Sequence, residues 1–348
     1  MALLVIIAAV LMLAMIGLAL KARGCLLALE YIDFPVDQLE KSLRRVENPP
    51  KEVKIEGPNE VTVRSLWTWL AMKIYPGAFL IPVRANGVRA SFLLDTGAAL
   101  TTVSPKVAIA SQAVLMQRGP TILIEGQEAL TYLGRLPTLE IAGLKLHEVP
   151  IIVLNKQLVL KILGIPLWSL DGFFGMEPLR HMVISLDYRR GDVSFRRNPS
   201  LPGALSADLK LLEREVGGLK GWIPIVEGFV EGAGPFPCFI DTGGSAIAGV
   251  GDDLLQQLGW PEVHHISKIQ LGDIELKDVP AISGKRGGRS IKGVILIGSG
   301  LFQRQGFRRL TLDFLASKLY AERKTESTLY TKEGSPCSAS SSMEEGSS

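Results

Sequence analysis

Two short segments, Asp95-Thr96-Gly97 and Asp241-Thr242-Gly243, are where residue types and spacing could do chemistry in this chain. Each follows an apolar run, Leu93-Leu94 in one case and Phe239-Ile240 in the other, so each acidic side chain sits just past a strand end on a tight turn. A single such tripeptide reads as an ordinary solvated turn, because Asp, Thr and Gly are all turn formers. Two in equivalent surroundings supply a pair of carboxylates, and such a pair can divide general acid and general base between its members. Metal chemistry is not suggested: His147, His181, His264 and His265 share no ligand spacing. Cys25, Cys238 and Cys337 are widely separated and form neither a zinc pattern nor a disulfide framework.

The equivalence comes from an internal repeat. Ile81-Pro82-Val83 precedes the first Asp-Thr-Gly, and Ile223-Pro224-Ile225 precedes the second. Leu144-Lys145-Leu146-His147-Glu148-Val149-Pro150 is echoed by Ile274-Glu275-Leu276-Lys277-Asp278-Val279-Pro280. Phe173-Phe174-Gly175 is echoed by Leu296-Ile297-Gly298, and Ile184-Ser185-Leu186-Asp187-Tyr188 by Leu310-Thr311-Leu312-Asp313-Phe314. Anchors in one order predict two similar lobes, residues 76–200 and 201–323, whose loops vary while paired strands keep register. The elements that position the carboxylates are therefore short strands, and the expected fold class is all-β. Phe79 to Ala85 and Val88 to Leu94 flank Asn86-Gly87, a hairpin signal because both turn residues tolerate positive φ. Ser104-Pro105 starts a short helix after the first loop, and Gly251 to Leu258 supplies its counterpart after the second.

With these motifs in this order, residues 76–323 resemble the pepsin and retropepsin superfamily of aspartic proteases. The resemblance implies two lobes related by a pseudo-twofold axis, Asp-Thr-Gly loops meeting across it, and apolar-apolar-Gly segments threading behind them. Asp95 and Asp241 then form the catalytic dyad. Carboxylates about 3 Å apart do not both ionise: one takes a proton from the attacking water, and the protonated one stabilises the oxyanion. No metal or cofactor is called for. Gly97 and Gly243 let backbone N–H groups face the carboxylates. Thr96 and Thr242, by the resemblance, bond across the interface and hold the loops rigid; the plainer reading makes them caps of their own turns. The first loop continues Ala98-Ala99 and the second Gly244-Ser245. Without a hydroxyl at Ala98 the ionised Asp95 loses one hydrogen bond, which predicts a mildly rather than strongly acidic activity optimum.

A cover is expected on one side only. Thr121 to Leu133 is a candidate flap hairpin with Glu125, Gly126 and Gln127 at its turn, whereas Asp241 leads through its helix almost directly into the Ile266 to Leu276 strands. Tyr132 is a candidate flap tyrosine bonding near the dyad, or a strand residue packing on its neighbours.

The rest of the chain sets the context. Its 348 residues are 47% apolar and 21% charged, a globular composition, and a net charge of +3 with no basic stripe is too small to imply a nucleic-acid partner, so none is expected. Ala2 to Leu20 is an uninterrupted apolar run, and at ~1.5 Å per residue it spans a bilayer core. It has no basic n-region and no clear small-x-small site, so residues 1–23 are expected to be an uncleaved single-pass anchor. Lys21 and Arg23 bias the following side toward the cytoplasm; long domains override so small a bias, and the catalytic domain is expected outside the cytoplasm. Residues 24–75 are expected to be a stalk or pro-segment, with Lys41 to Arg45 as the part that would pair with the dyad. Residues 324–348 are expected to be a disordered Ser-rich tail. The expected function is a membrane-anchored aspartic endopeptidase, monomeric in its catalytic unit, acting on an extended peptide or protein. The alternative is a catalytically silent pepsin-like module that binds peptides or proteins.

Overall fold

The computed structural model describes residues 27–45, 52–64, 68, 72, 75–124, 127–162, 165–199, 205–283 and 293–323. Before the first half come β1 (Leu27–Asp33), α1 (Val36–Ser42), β2 (Arg44–Arg45), β3 (Lys54–Glu56) and β4 (Glu60–Arg64). The N-terminal half runs β5 (Leu80–Ala85), β6 (Val88–Leu94), β7 (Thr101–Val103), α2 (Pro105–Ala110), β8 (Val114–Arg118), β9 (Ile122–Ile124) and β10 (Gln127–Ala129). It continues through β11 (Thr131–Ile141), β12 (Leu144–Leu154), β13 (Lys156–Ile162), β14 (Ile165–Ser169), β15 (Gly172–Phe174), α3 (Met176–Leu179), β16 (Val183–Asp187) and β17 (Asp192–Arg196). The C-terminal half runs β18 (Leu205–Val216), β19 (Leu219–Val230), β20 (Ala233–Asp241), β21 (Ala248–Val250), α4 (Asp252–Gln257), β22 (His265–Leu271) and β23 (Ile274–Ser283). It closes with β24 (Ile295–Gly298), α5 (Gly300–Arg304), β25 (Phe307–Asp313) and β26 (Lys318–Arg323).

Local chemistry accounts for the hairpins that deliver the Asp loops. Asn86 and Gly87 take φ of 45° and 87°, which reverses β5 into β6. In the other half Glu231 and Gly232, at 51° and 87°, do the same between β19 and β20. The repeated Leu-Lys-Leu and Ile-Glu-Leu strands also share an irregularity. Glu148 and Asp278 both have positive φ, 58° and 48°, and each is passed over by a pairing that resumes on either side in unchanged register, so each half carries the same local break in its ladder.

In both halves a parallel pair backs the Asp loop. β15 lies parallel to β6 with Phe174 opposite Leu94, and β24 lies parallel to β20 with Gly298 opposite Asp241. β7 is parallel to β12 and antiparallel to β15, while β21 is parallel to β23 and antiparallel to β24. Beneath both halves six strands run antiparallel in the order β18-β26-β25-β16-β17-β4. Ser185 and Thr311, equivalent in the sequence repeat, sit directly opposite each other with their hydroxyls 2.9 Å apart. Asp187 Oδ1 accepts from the N–H groups of Arg189 and Arg190, and Asp313 Oδ1 accepts from those of Leu315 and Ala316, so both turn in the same way. One continuous apolar core, with Phe79, Phe92, Phe174, Phe302 and Phe307 among its largest members, extends through both halves.

Described parts of the segment read as stalk or pro-segment are built into this body. β4 pairs along its length with β17, burying Val61 and Val63, and β1 pairs with β13. β2 lies parallel to β8, and β3 pairs antiparallel with β12. Arg197 fastens the approach to β4 by donating to the carbonyls of Ile55 and Gly57 and to Asn59 Oδ1. The apolar run read as a membrane anchor and the Ser-rich tail lie outside the described residues. Among the described residues no helix is long and apolar enough to cross a membrane.

Candidate active site

β6 and β20 end side by side, each passing its chain into an Asp-Thr-Gly turn. Within each turn the glycine N–H donates to the Oδ1 of the aspartate two residues earlier, at 2.8 Å for Gly97 to Asp95 and 2.9 Å for Gly243 to Asp241. The following N–H, of Ala98 or Gly244, donates to the aspartate carbonyl at 3.2 Å in both. These short-range bonds fix each carboxylate relative to its own backbone.

The two carboxylates also face one another. A methyl group placed on Gly97 would lie 2.8 Å from Asp95 Oδ1 and 2.7 Å from Asp241 Oδ1, so both oxygens crowd one point. A methyl on Gly243 would lie 2.6 Å from Asp95 Oδ1. Neither glycine has positive φ. Glycine is therefore required at both positions by the approach of the opposing carboxylate rather than by turn geometry. Burial is unequal: Asp241 is 2% exposed and Asp95 is half-buried.

Thr96 and Thr242, both fully buried, cross-brace the loops. The Thr96 N–H donates to Thr242 Oγ1 at 2.9 Å, and the Thr242 N–H donates to Thr96 Oγ1 at the same distance. Each hydroxyl in turn donates to the opposite strand, Thr96 to the Ile240 carbonyl and Thr242 to the Leu94 carbonyl. This is a reciprocal network between halves, not a pair of local turn caps. Every buried donor in it has its acceptor, and leaving one unmade costs about 1–3 kcal/mol.

The apolar-apolar-Gly segments press against the loops from behind. The Asp95 N–H donates to the Phe174 carbonyl, the Met176 N–H to the Ala98 carbonyl, and the Ser299 N–H to the Asp241 carbonyl. A methyl on Gly175 would collide with the Leu100 carbonyl, and one on Gly298 with the Ser245 carbonyl. Ser299, which sequence reasoning did not single out, also donates through its hydroxyl toward the carbonyls of Gly77 and Thr242. Tyr188 supports it by donating to the Ser299 carbonyl at 3.0 Å, and burial holds that phenol protonated far above its ordinary range. The signal for Ser299 lay in its place, directly after the repeated glycine.

The candidate flap is a two-tier hairpin. β8 pairs with β11, β9 pairs with β10, and the Thr131 hydroxyl donates to the Pro120 carbonyl between the tiers. Gln127 pairs with Ile124 at the last described step, while Glu125 and Gly126 lie outside the described residues. Tyr132 is buried in the stem, and its hydroxyl donates to Glu40 on α1 at 2.9 Å, which ties the stem to the N-terminal segment. In the C-terminal half α4 leads to β22 without counterparts of β8 to β10 among the described residues. Of the histidines, His147 contacts Glu56 and His265 contacts Asp278, each in a surface pair.

Residues 81–167 match a family model described as aspartyl protease, a stretch that includes the first Asp-Thr-Gly loop and the flap hairpin and ends before the second loop. Among solved structures, a retropepsin-like aspartic protease from Rickettsia conorii is similar at 17% identity and a TM-score of 0.23, over 34% of this chain and 85% of that one. No curated protein matches the chain. Over residues 81–167, then, this mostly β chain is similar to the aspartyl proteases.

Proposed function

We propose that the chain is an aspartic endopeptidase of two lobes, built from a duplicated unit, with Asp95 and Asp241 as its catalytic dyad. The observation that carries the proposal is the convergence of the two Oδ1 atoms on the space above Gly97, across loops locked together by Thr96 and Thr242. The aspartyl protease match over residues 81–167 supports the same reaction class. Carboxylates this close share a proton. The ionised one accepts a proton from water as its oxygen attacks the peptide carbonyl carbon. The protonated one donates to the carbonyl oxygen, and the resulting gem-diol collapses as the amine leaves with a proton. The loops contribute by holding still: a site fixed by reciprocal buried hydrogen bonds needs little reorganisation during the reaction.

The substrate is an extended peptide or protein segment lying beneath the β8–β11 hairpin. The apolar run at residues 2–20 supports a tether to a membrane through one helix, and the same proposal puts the catalytic body outside the cytoplasm. Purified chain incubated with a mixed peptide library is expected to yield internal cleavages that stop in Asp95→Asn and in Asp241→Asn. Persistent cleavage by either variant would overturn the dyad. Peptide binding without cleavage by the wild-type chain would replace the protease with a silent binding module.

A further inference from the structure

The tip of the β18–β19 hairpin crosses from the C-terminal half to the base of the flap. Gly217 and Gly218, with φ of 59° and 85°, reverse the chain there, and the Gly217 carbonyl accepts from Gln117 Nε2 at 2.7 Å. Gln117 is on β8, directly opposite Leu133 on β11, so the contact is to both sides of the flap stem. A methyl on Gly217 would lie 2.6 Å from Leu133 Cδ1 and 3.2 Å from Pro120 Cδ. Four residues further along, Gly221 meets the shoulder of the first Asp loop: a methyl there would lie 2.7 Å from Ala99 Cβ. Between these points Leu219 is buried with Leu100 and Leu133, and Met116, Ile152 and Val216 pack around them in a cluster separate from the main core. Next along β19, the Trp222 ring receives the Arg180 guanidinium at 4.9 Å.

One segment thus touches both the flap stem and the shoulder of the first Asp loop. Resting on the reading of this site as a peptidase, we infer that residues 216–221 close one end of the cleft. Leu219 fills the apolar space between Leu100 and Leu133, where a substrate side chain would otherwise sit, and Gln117 latches the tip. The chain therefore selects peptides that extend only a short way past the scissile bond on this side. Leu219 and Gln117 are specificity-determining and positioning residues rather than catalytic ones.

A series of peptides sharing one cleavage site, lengthened one residue at a time in each direction, tests this on the full chain. Wild type should show kcat/KM falling with length on one side only. Leu219→Ala should relax that limit roughly tenfold, the size expected for reopening a small apolar subsite, with short peptides cleaved as before. Gln117→Ala, an exposed change that leaves the fold intact, should relax it in the same direction. Equal cleavage of all lengths by wild type, or equal scaling of all peptides by both variants, would overturn the inference.

Amide hydrogen exchange separates this test from the fate of the peptidase reading. If the tip latches the stem, exchange at Leu115–Arg118 and Leu133–Arg135 is faster in both variants, whether or not any peptide is cleaved. A chain that cleaves nothing but shows this change has lost the protease proposal and kept the latch. Unchanged exchange in both variants removes the latch.

Discussion

The two halves hold their carboxylates alike and surround them differently. Each places an aspartate at the end of a hairpin strand, backs it with a parallel strand that runs into a glycine, and braces it with a threonine that bonds into the other half. Around that shared frame the N-terminal half adds the β8–β11 hairpin, the β13–β14 hairpin and strands from residues 27–64. The C-terminal half passes almost directly from α4 to β22 and instead sends out the long β18–β19 hairpin. What recurs is what acid–base chemistry between two carboxylates needs. What differs is what, on the proposed function, would cover the site and limit access, and so set selectivity among substrates.

The largest expected effect tests the shared frame at its centre. On the proposed dyad, Asp95→Asn and Asp241→Asn should each lower kcat/KM by about 10³-fold or more, because neither carboxylate would act without the other, and thermal melting should show both variants folded. Losses that differ by more than tenfold would break the equivalence of the halves and assign the chemistry mainly to one aspartate.

Next in size are the glycines behind the loops. Gly175→Ala and Gly298→Ala both drive a methyl into backbone carbonyls, of Leu100 and Ser245 respectively, and backbone there is pinned by the Asp loop itself. Each should destabilise the chain by about 3 kcal/mol, the upper end for overpacking, read as a shift in the denaturant midpoint. Gly87→Ala, at a turn with nothing near the added methyl, meets only backbone strain and should cost less. A tolerated Gly298→Ala beside a damaging Gly175→Ala would show that the C-terminal loop can relax where the N-terminal one cannot.

The threonine brace sharpens the comparison further. Thr96→Val leaves the buried Thr242 N–H without its acceptor, and Thr242→Val does the same to the Thr96 N–H. Each should cost about 1–3 kcal/mol. Because the two share one network, the double variant should cost less than the sum of the singles, measurable as a coupling energy in a double-mutant cycle.

Much of this frame was legible in the sequence because it rests on local signals repeated in order. Asp-Thr-Gly after an apolar run, Asn86-Gly87 as a turn and Gly175 and Gly298 after paired apolar residues all mark positions where turn geometry or close packing restricts the residue type. The shared positive φ at Glu148 and Asp278 was hidden inside a visible echo, since an acidic residue in a strand gives no sign of it. The role of β4 was not legible. Its alternation of Val61 and Val63 marks a half-buried strand, but nothing local says that its partner is Asp192–Arg196, far along the chain. Tyr132 read equally as a flap tyrosine or a packed strand residue, and its bond to Glu40 depends on an N-terminal helix docked by tertiary contacts. The β18–β19 tip was missed for the same reason: Gly217-Gly218 announces a turn but not what the turn touches.

The smallest expected difference between the halves is their response to acid. In the C-terminal half, hydrogen bonds from Lys268 and then Lys277 hold the Glu275 carboxyl down at about 2. The Ser267 N–H and hydroxyl lower Glu231, and Lys318 lowers Asp208. A lowered carboxyl contributes stability above its ordinary value, and that contribution is lost as the pH falls through the folded value. In the N-terminal half burial raises Asp171, against the opposing bond from the Ser91 N–H. A raised carboxyl is disfavoured in its ionised form, so acid relieves it and the sign reverses. Asp208 and Glu231 are exposed and Glu275 is partly exposed, which keeps their share small through solvent and salt screening. Between about pH 5 and about pH 3, amide protection should therefore fall in β22, β23 and β18 while β6 and β15 hold or gain. Added salt should shrink the C-terminal loss and leave the Asp171 effect, which comes from burial, in place. A parallel loss in both halves, insensitive to salt, would mean that acid acts on the frame they share and not on the charges that distinguish them.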